Sequence, residues 1–337
     1  MHEAMLYEHI ENKDVRCVLC NHQCKIKPNK RGICGVRENR DGRLYSLVYG
    51  KIIAEHIDPI EKKPLFNFMP GTKAYSIGTV GCNFHCKHCQ NYEISQYPHE
   101  HEDEIVGAER TPAQIVESAK SAQCESIAYT YTEPTIFYEF AFDTSVLAKD
   151  AGLKNIFVSN GYMTAEAAGL IAPYLDAINI DVKAFNDKSH KEICGARLEP
   201  VLRTIRRMKD LGVWVELTTL VIPGLNDSDQ ELGNIARFVK SVSPDIPWHV
   251  TQFHPAYEYL DRPSTPMSTL RRARQIGINE GLRYVYEGNV PGEGGENTFC
   301  YACGAVLIER FGVKILKNRV RGGTCPECGT MIDGFGI

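Results

Sequence analysis

Three cysteines carry the first chemistry in this chain. Cys82, Cys86 and Cys89 lie in the run Gly-Cys-Asn-Phe-His-Cys-Lys-His-Cys-Gln-Asn, a C-x3-C-x2-C spacing that supplies three thiolates where an iron–sulfur cube has four corners. A cluster with four protein ligands stores or passes an electron, whereas one held by three leaves an iron open to a substrate or cofactor. S-adenosylmethionine (SAM) can chelate such an iron through its amino and carboxylate groups, and one electron then splits the sulfonium into methionine and a 5'-deoxyadenosyl radical. The competing reading is a zinc knuckle completed by His85 or His88, both inside the run.

The other cysteines sort by spacing. Of thirteen, four lie at 17, 20, 24 and 34, four at 300, 303, 325 and 328, and two, Cys124 and Cys194, stand alone and are assigned to packing. Cys17, Cys20, Cys24 and Cys34 form a complete four-thiolate set with no open corner. Zinc stabilising a loop-rich start is the preferred reading and an auxiliary iron–sulfur cluster the other, since spacing alone does not separate them. The paired Cys300-x2-Cys303 and Cys325-x2-Cys328, each followed by Gly, predict one tetrahedral zinc or mononuclear iron in a ribbon or rubredoxin-like module.

Composition is that of an ordinary globular protein: 337 residues, 43% hydrophobic, 24% charged, formal net charge −4. The acidic balance offers no overall basic field for nucleic acid. No apolar stretch is long enough to span a bilayer and the start lacks a signal peptide's pattern, so a cytoplasmic chain without a membrane partner is expected. That compartment keeps thiols reduced, which makes metal binding the default for the cysteines.

The elements that must position the triplet are repeated strands and helices. Strands are predicted at 73–79, 126–131, 154–159, 177–182, 213–220, 248–253 and 283–287, with a long loop over 90–110. Thr111 with Gln114 and Ser228 with Glu231 offer capping boxes, Thr164 and Ser268 offer further caps, and Gly212 ends an apolar helix from Val201. Ile/Val/Tyr-rich strands alternating with helices imply parallel βαβ units, and about 224 residues suit six of them, a partial (β/α)6 barrel. The alternation from Leu44 to Ile57 predicts a hairpin turning near Gly50-Lys51. The expected organisation is a Cys-rich extension with this hairpin (1–68), the partial barrel (69–292) and the metal ribbon (293–337).

Chemistry in such a sheet gathers at the carboxyl ends of the strands. These carry Tyr129-Thr130-Tyr131-Thr132-Glu133, Ser159-Asn160-Gly161, Asp181-Val182-Lys183, Ile222-Pro223-Gly224-Leu225-Asn226-Asp227, Phe253-His254-Pro255 and Glu287-Gly288-Asn289. A sulfonium amino acid needs acceptors for its amino group and donors for its carboxylate and ribose. Glu133, Asp181, Lys183 and Asn160 are suitable types.

The triplet's spacing resembles the signature of the radical SAM superfamily. The Asp-Val-Lys, Ile-Pro-Gly-Leu-Asn-Asp and Phe-His-Pro segments resemble those of pyruvate formate-lyase activating enzyme and its relatives. With Cys-Val-Leu-Cys-Asn-His-Gln-Cys, Asp58-Pro-Ile-Glu-Lys-Lys-Pro-Leu, Tyr-Thr-Glu-Pro-Thr and Glu296-Asn-Thr-Phe-Cys-Tyr-Ala-Cys-Gly included, nearly the whole chain resembles the radical SAM member of the AmmeMemoRadiSam system. This resemblance implies a partial barrel, a [4Fe–4S] cluster, SAM, and a reductant such as flavodoxin or ferredoxin. It further implies that Asp181, Lys183 and His254 contact SAM or the substrate's approach to it, with Lys183 and His254 as catalytic candidates. The superfamily usually has Gly-Gly-Glu after the second strand, whose bare backbone receives the methionine amino group. Here Tyr131-Thr132-Glu133 stands in its place, leaving Thr130, Thr132 and Glu133 as candidates for that contact. The substrate is expected to be a small molecule, such as a carboxylic acid. A partner protein given a glycyl radical is the alternative, and a non-catalytic zinc scaffold the rival from another class.

Overall fold

The computed structural model describes residues 1–337. Its main sheet has eight strands, seven of them parallel. These are β1 (Lys73–Gly78), β2 (Ser126–Tyr129), β3 (Lys154–Ser159), β4 (Ala177–Asp181), β5 (Trp214–Val221), β6 (Trp248–Gln252) and β7 (Val285–Gly288). Each pairs only with its neighbours in sequence, so the order is linear. Ala54–Pro59 adds an antiparallel strand beside β1. Helices α1 (Pro112–Ser121), α2 (Tyr138–Asp150), α3 (Ala165–Ile171), α4 (Asp187–Cys194), α5 (Leu198–Asp210), α6 (Asp229–Val242) and α7 (Met267–Glu280) fill the crossovers, one pair (α4, α5) sharing a connection. Six βα units and a seventh strand result, because strands buried on both faces need a helix to carry the chain back.

Local chemistry explains most helix starts. Thr111 accepts from the Gln114 amide while the Gln114 side chain accepts from the Thr111 amide, a reciprocal capping box with Pro112 at the first turn. Thr164 caps α3 through the Ala167 amide. Ser228 caps α6, but the box is not reciprocal: Glu231 Oε1 instead accepts from the Phe185 amide at 2.5 Å, tying α6 to the loop after β4. Ser268 is not a cap, since α7 begins at Met267 after Pro266. Gly212, φ 79°, follows α5 as its length and pattern predict.

The predicted hairpin over 44–57 does not form. Arg43–Ser46 pairs with Arg37–Arg40 across Asp41-Gly42, while Ala54–Pro59 pairs with β1. Alternation revealed both strands but not their partners.

The segment after Pro59 returns beneath the sheet and fixes it. Glu216, buried on β5, accepts from the amides of Phe66 (2.9 Å) and Asn67 (2.8 Å), from Trp214 Nε1 (3.0 Å) and from His249 Nε2 (2.7 Å). Asn179 on β4 donates to the Pro64 carbonyl at 2.8 Å, and Tyr286 on β7 donates to Asn67 Oδ1 at 2.5 Å. Leu65 and Phe68 join Ala74, Ala128, Ile156 and Ala177 at the starts of β1 to β4. The C-terminal part, a three-stranded sheet of Thr298–Phe299, Val306–Phe311 and Lys314–Asn318, docks on the same segment. Arg310 Nη2 donates to the Phe66 carbonyl at 2.9 Å and Asn67 Nδ2 to that of Asp333 at 2.8 Å. Glu216→Ala strands four buried donors and is therefore expected to cost about 3 kcal/mol or more in anaerobic urea denaturation. A loss below about 1 kcal/mol would show that the segment is held by apolar packing alone.

Candidate active site

The triplet lies on the loop leaving β1. Gly81, φ 93°, makes the turn into it, and a Cβ there would come within 2.5 Å of Val36 Cγ1 and 2.9 Å of the Cys34 carbonyl oxygen. No other residue type fits a left-handed backbone in that space. The end of α4 clamps the loop from the other side: His85 and Lys87 amides donate to the Cys194 and Ile193 carbonyls, both at 3.1 Å. Cys194 is buried, as packing requires, and its thiol also lies within hydrogen-bonding reach of Cys86.

Cys82, Cys86 and Cys89 all face one cleft at the carboxyl ends of the strands, with about 1590 Å³ of empty space open to solvent. No three of their sulfurs lie within 4.8 Å of one another, alone or with a histidine. Sulfurs this far apart do not suit a single ion, whose tetrahedral bonds of about 2.3 Å bring thiolates to about 3.8 Å. A cube, where each thiolate holds a different iron, sets its thiolates farther apart than that. Of the knuckle histidines, His85 Nδ1 meets Gln96 Oε1 at 2.7 Å, while His88 is buried with Nδ1 unpartnered. Burial, then the charge of Lys183, lowers the His88 pKa to about 3 and keeps the ring neutral. The Phe84 amide donates to Cys82 Sγ (3.4 Å), and Ser95 Oγ lies 3.3 Å from Cys89 Sγ.

Five residues expected from the sequence line this cleft: Thr130, Thr132, Asn160, Asp181 and Lys183. Lys183 Nζ meets Asp181 Oδ2 at 2.8 Å. Against burial, the charges of Asp181 and Cys86 hold the ammonium well above its usual value, so Lys183 stays cationic. Asn160 Nδ2 donates to Asn83 Oδ1 at 2.7 Å, and Thr132 Oγ1 to the Thr79 carbonyl at 3.0 Å.

Two expectations need correction. Glu133 does not line the cleft: it is fully buried, with Oε1 accepting from the Thr135 amide (3.0 Å), Thr135 Oγ1 (2.5 Å) and Ser159 Oγ (2.8 Å), and Oε2 from the Asn160 amide (2.7 Å). It spends its lone pairs tying the ends of β2 and β3 together and positions Asn160. His254 lies beyond β6, exposed, 3.3 Å from Ser264 Oγ and outside the cleft wall. Thr251 of β6 takes the place on that wall expected of it.

Sequence reasoning missed the floor. Lys62 and Lys63 line the cleft, brought there by the segment beneath the sheet. Asp58 accepts from Lys62 (2.8 Å), Lys63 (2.7 Å) and the Tyr131 hydroxyl (2.7 Å), and Lys63 Nζ sits 4.7 Å from the Tyr131 ring centre. The signal was present in Asp58-Pro-Ile-Glu-Lys-Lys, where carboxylate and first ammonium stand one helical turn apart. Burial works against the Asp58 carboxylate, but these three donors together hold it far below the usual range. A carboxyl with a depressed folded pKa adds stability that is complete above about pH 4 and is lost as pH falls below that. Asp58→Asn leaves buried Lys63 unpaired, so a loss of about 3 kcal/mol at pH 7 is expected, with a shallower fall between pH 5 and 3 than the wild type. Equal pH slopes by thermal denaturation would remove Asp58 from the acid response.

A parallel α/β sheet bearing three outward thiolates on the loop after its first strand defines a class of protein that mounts an incompletely ligated metal cluster over a polar cleft. Residues 76–239 match the family model of the radical SAM superfamily. An uncharacterized protein of Methanocaldococcus jannaschii is 49% identical over 336 residues, covering 99% of each chain. The pyruvate formate-lyase-activating enzyme of Streptococcus mutans is 21% identical over 201 residues, 56% of this chain and 74% of that one. The crystal structure of Streptococcus suis SuiB bound to S-adenosylmethionine shares the fold with a TM-score of 0.51 at 13% identity, over 68% of this chain and 53% of that one. This chain belongs to the radical SAM superfamily and is related to the pyruvate formate-lyase activating enzymes. It is an enzyme, and membership implies a [4Fe–4S] cluster and SAM, which overturns the zinc-scaffold reading. No helix is long and apolar enough to cross a membrane.

Proposed function

We propose that this enzyme holds a site-differentiated [4Fe–4S] cluster on Cys82, Cys86 and Cys89, binds SAM in the adjoining cleft, and acts on a small anionic substrate such as a carboxylic acid. The observation that carries this reading is the convergence of the three sulfurs with Asp181, Lys183, Asn160 and Thr130 on one cleft whose floor is Lys62 and Lys63. When bound, the cluster and SAM supply a 5'-deoxyadenosyl radical for hydrogen abstraction or addition. Lys183 offers its cation to a carboxylate, and Asp181 and Asn160 offer acceptors and a donor to an amino group or ribose. Lys62 and Lys63 give the deep end of the cleft a positive charge that favours an anion over a neutral substrate.

The sheet is read as a partial barrel. Residues 65–68 reach β1 to β4 through Leu65 and Phe68, and β5, β6 and β7 through Glu216, His249 and Tyr286. Seven flat strands at about 4.8 Å spacing would span about 29 Å, too far for four residues unless the sheet curls round them. The glycyl-radical activase remains the second reading, supported by the relatives of that name. Against it stands the position of the extra cysteines, at both ends of the chain rather than within the barrel.

The C-terminal quartet is read as a structural zinc site. Its four sulfurs lie within 4.8 Å of one another, with Cys300–Cys328 and Cys303–Cys325 at 3.7 Å, close to the edge of a tetrahedron with about 2.3 Å bonds. The module docks where the strands begin, through Arg283–Asp333 and the Phe335 ring over Lys154. The triplet lies at the opposite ends, roughly 17 Å away by strand rise, a poor place for an electron donor.

Anaerobically reconstituted and reduced protein is expected to convert SAM into 5'-deoxyadenosine and methionine, followed by chromatography, and Cys86→Ala to lose this entirely. Undiminished cleavage by that variant would sink the assignment of the triplet.

A further inference from the structure

The N-terminal quartet differs in geometry from the C-terminal one. Cys17 ends the strand Val15–Cys17, Cys20 bridges to Met163 after β3, Cys24 precedes Lys25–Ile26, and Cys34 precedes Arg37–Arg40. All four line one pocket, yet no three of their sulfurs lie within 4.8 Å of one another. A single zinc would need them at about 3.8 Å, the spacing that the C-terminal quartet has. The N-terminal sulfurs, like those of the triplet, are not gathered to that spacing.

Two buried donors on the cavity wall point to its occupant. Arg37 Nε and Asn83 Nδ2 have no hydrogen-bond partner, although Arg37 is 2% and Asn83 1% exposed. The rest of the Arg37 guanidinium is spent on Glu139, through Nη1 at 3.3 Å and Nη2 more closely. An orphaned buried N–H costs about 1–3 kcal/mol. The sulfides and bound thiolates of an iron–sulfur cluster accept such bonds, and a cluster offers twice as many sulfur acceptors as a single ion held by four thiolates.

The cavity also abuts the triplet. Asn83 follows Cys82 in sequence, and its carbonyl lies 2.7 Å from His22 Nε2, between Cys20 and Cys24. The close approach of Cys34 to Gly81 presses the same two loops together.

We propose that Cys17, Cys20, Cys24 and Cys34 hold a second [4Fe–4S] cluster, thiolate-ligated at every corner, that relays single electrons from a flavodoxin- or ferredoxin-class donor to the cluster of Cys82, Cys86 and Cys89. One electron reduces the outer cluster from the 2+ to the 1+ state. It then passes to the inner cluster, the outer returns to 2+, and no bond is made or broken. Full ligation bars SAM from this cluster. The site stands on the N-terminal geometry, and only the relay rests on the function proposed above.

The full chain, reconstituted anaerobically with iron and sulfide, tests the site by acid-labile sulfide, which mononuclear iron at the C-terminal quartet does not contribute. About eight sulfides are expected in the wild type and about four in Cys82→Ala/Cys86→Ala/Cys89→Ala. Cys20→Ala/Cys24→Ala is also expected to hold about four, and its paramagnetic spectrum should respond to SAM while that of the triple variant should not. Zinc without sulfide in the triple variant, or about eight sulfides retained in Cys20→Ala/Cys24→Ala, overturns the second cluster. If the triple variant does not fold, the count in the double variant decides. With reduced flavodoxin as donor, the double variant is expected to lose about tenfold or more in SAM cleavage relative to titanium(III) citrate, and equal loss with both donors overturns the relay. Normal sulfide counts with no SAM response in any variant would overturn the proposed function and leave the second cluster standing.

Discussion

A polar backbone passing through the inside of a sheet must find hydrogen-bond partners there, and the segment Pro64–Phe68 finds them in Glu216, Asn179 and Arg310. The parallel sheet and the C-terminal sheet both lean on that solution. The antiparallel strand Ala54–Pro59 delivers the segment, residues of the parallel strands pack on it, and the C-terminal sheet docks against it. The residues just before it, Lys62 and Lys63, line the cleft that the triplet faces. Sheet packing and the charge of the cleft lining are therefore set by adjacent residues of one segment.

Sulfur placement imposes a second constraint. Burial pushes the Cys34 thiol up to about 12 and raises Cys20, Cys82 and Cys89 as well, so these groups carry thiolate charge at neutral pH only when a metal stands beside them. Sites whose ligands must lose protons to bind couple metal loading to pH in this way. The C-terminal quartet differs, with Cys303 and Cys328 exposed and its module touching the rest of the chain through Arg310, Arg283 and Asp333.

What was legible in the sequence follows from the range of the interactions involved. The seven parallel strands could be read because each is a short apolar run closed by capped helices, and the caps at Thr111 and Thr164 act within four residues. The triplet could be read because its ligands share one loop. The fate of Leu44 to Ile57 could not, since alternation is blind to whether a strand pairs across Asp41-Gly42 or with β1. Glu133 looked like a ligand because residue type does not say where a carboxylate spends its lone pairs, and four nearby donors had taken them. Lys62 and Lys63 were missed for the converse reason: they precede the first parallel strand and reach the cleft only through the fold. The N-terminal quartet stays open between zinc and an auxiliary cluster in the sequence because spacing along the chain does not report distances between sulfurs.

The departure at Tyr131-Thr132-Glu133 resolves in the same physical terms. Tyr131 has φ 69°, a left-handed conformation that costs a side-chain-bearing residue about 1–3 kcal/mol and that glycine adopts freely. The backbone is thus bent as a glycine would allow, and side-chain contacts offset the strain. Asn91 Nδ2 donates to the Tyr131 carbonyl at 2.7 Å, the hydroxyl donates to Asp58 at 2.7 Å, and the ring lies under the Lys63 ammonium. A glycine could make the first of these contacts but neither of the others. By using tyrosine the chain ties the turn after β2 to the segment beneath the sheet, so the backbone groups at that turn are held by the same Asp58 and Lys63 that form the cleft floor.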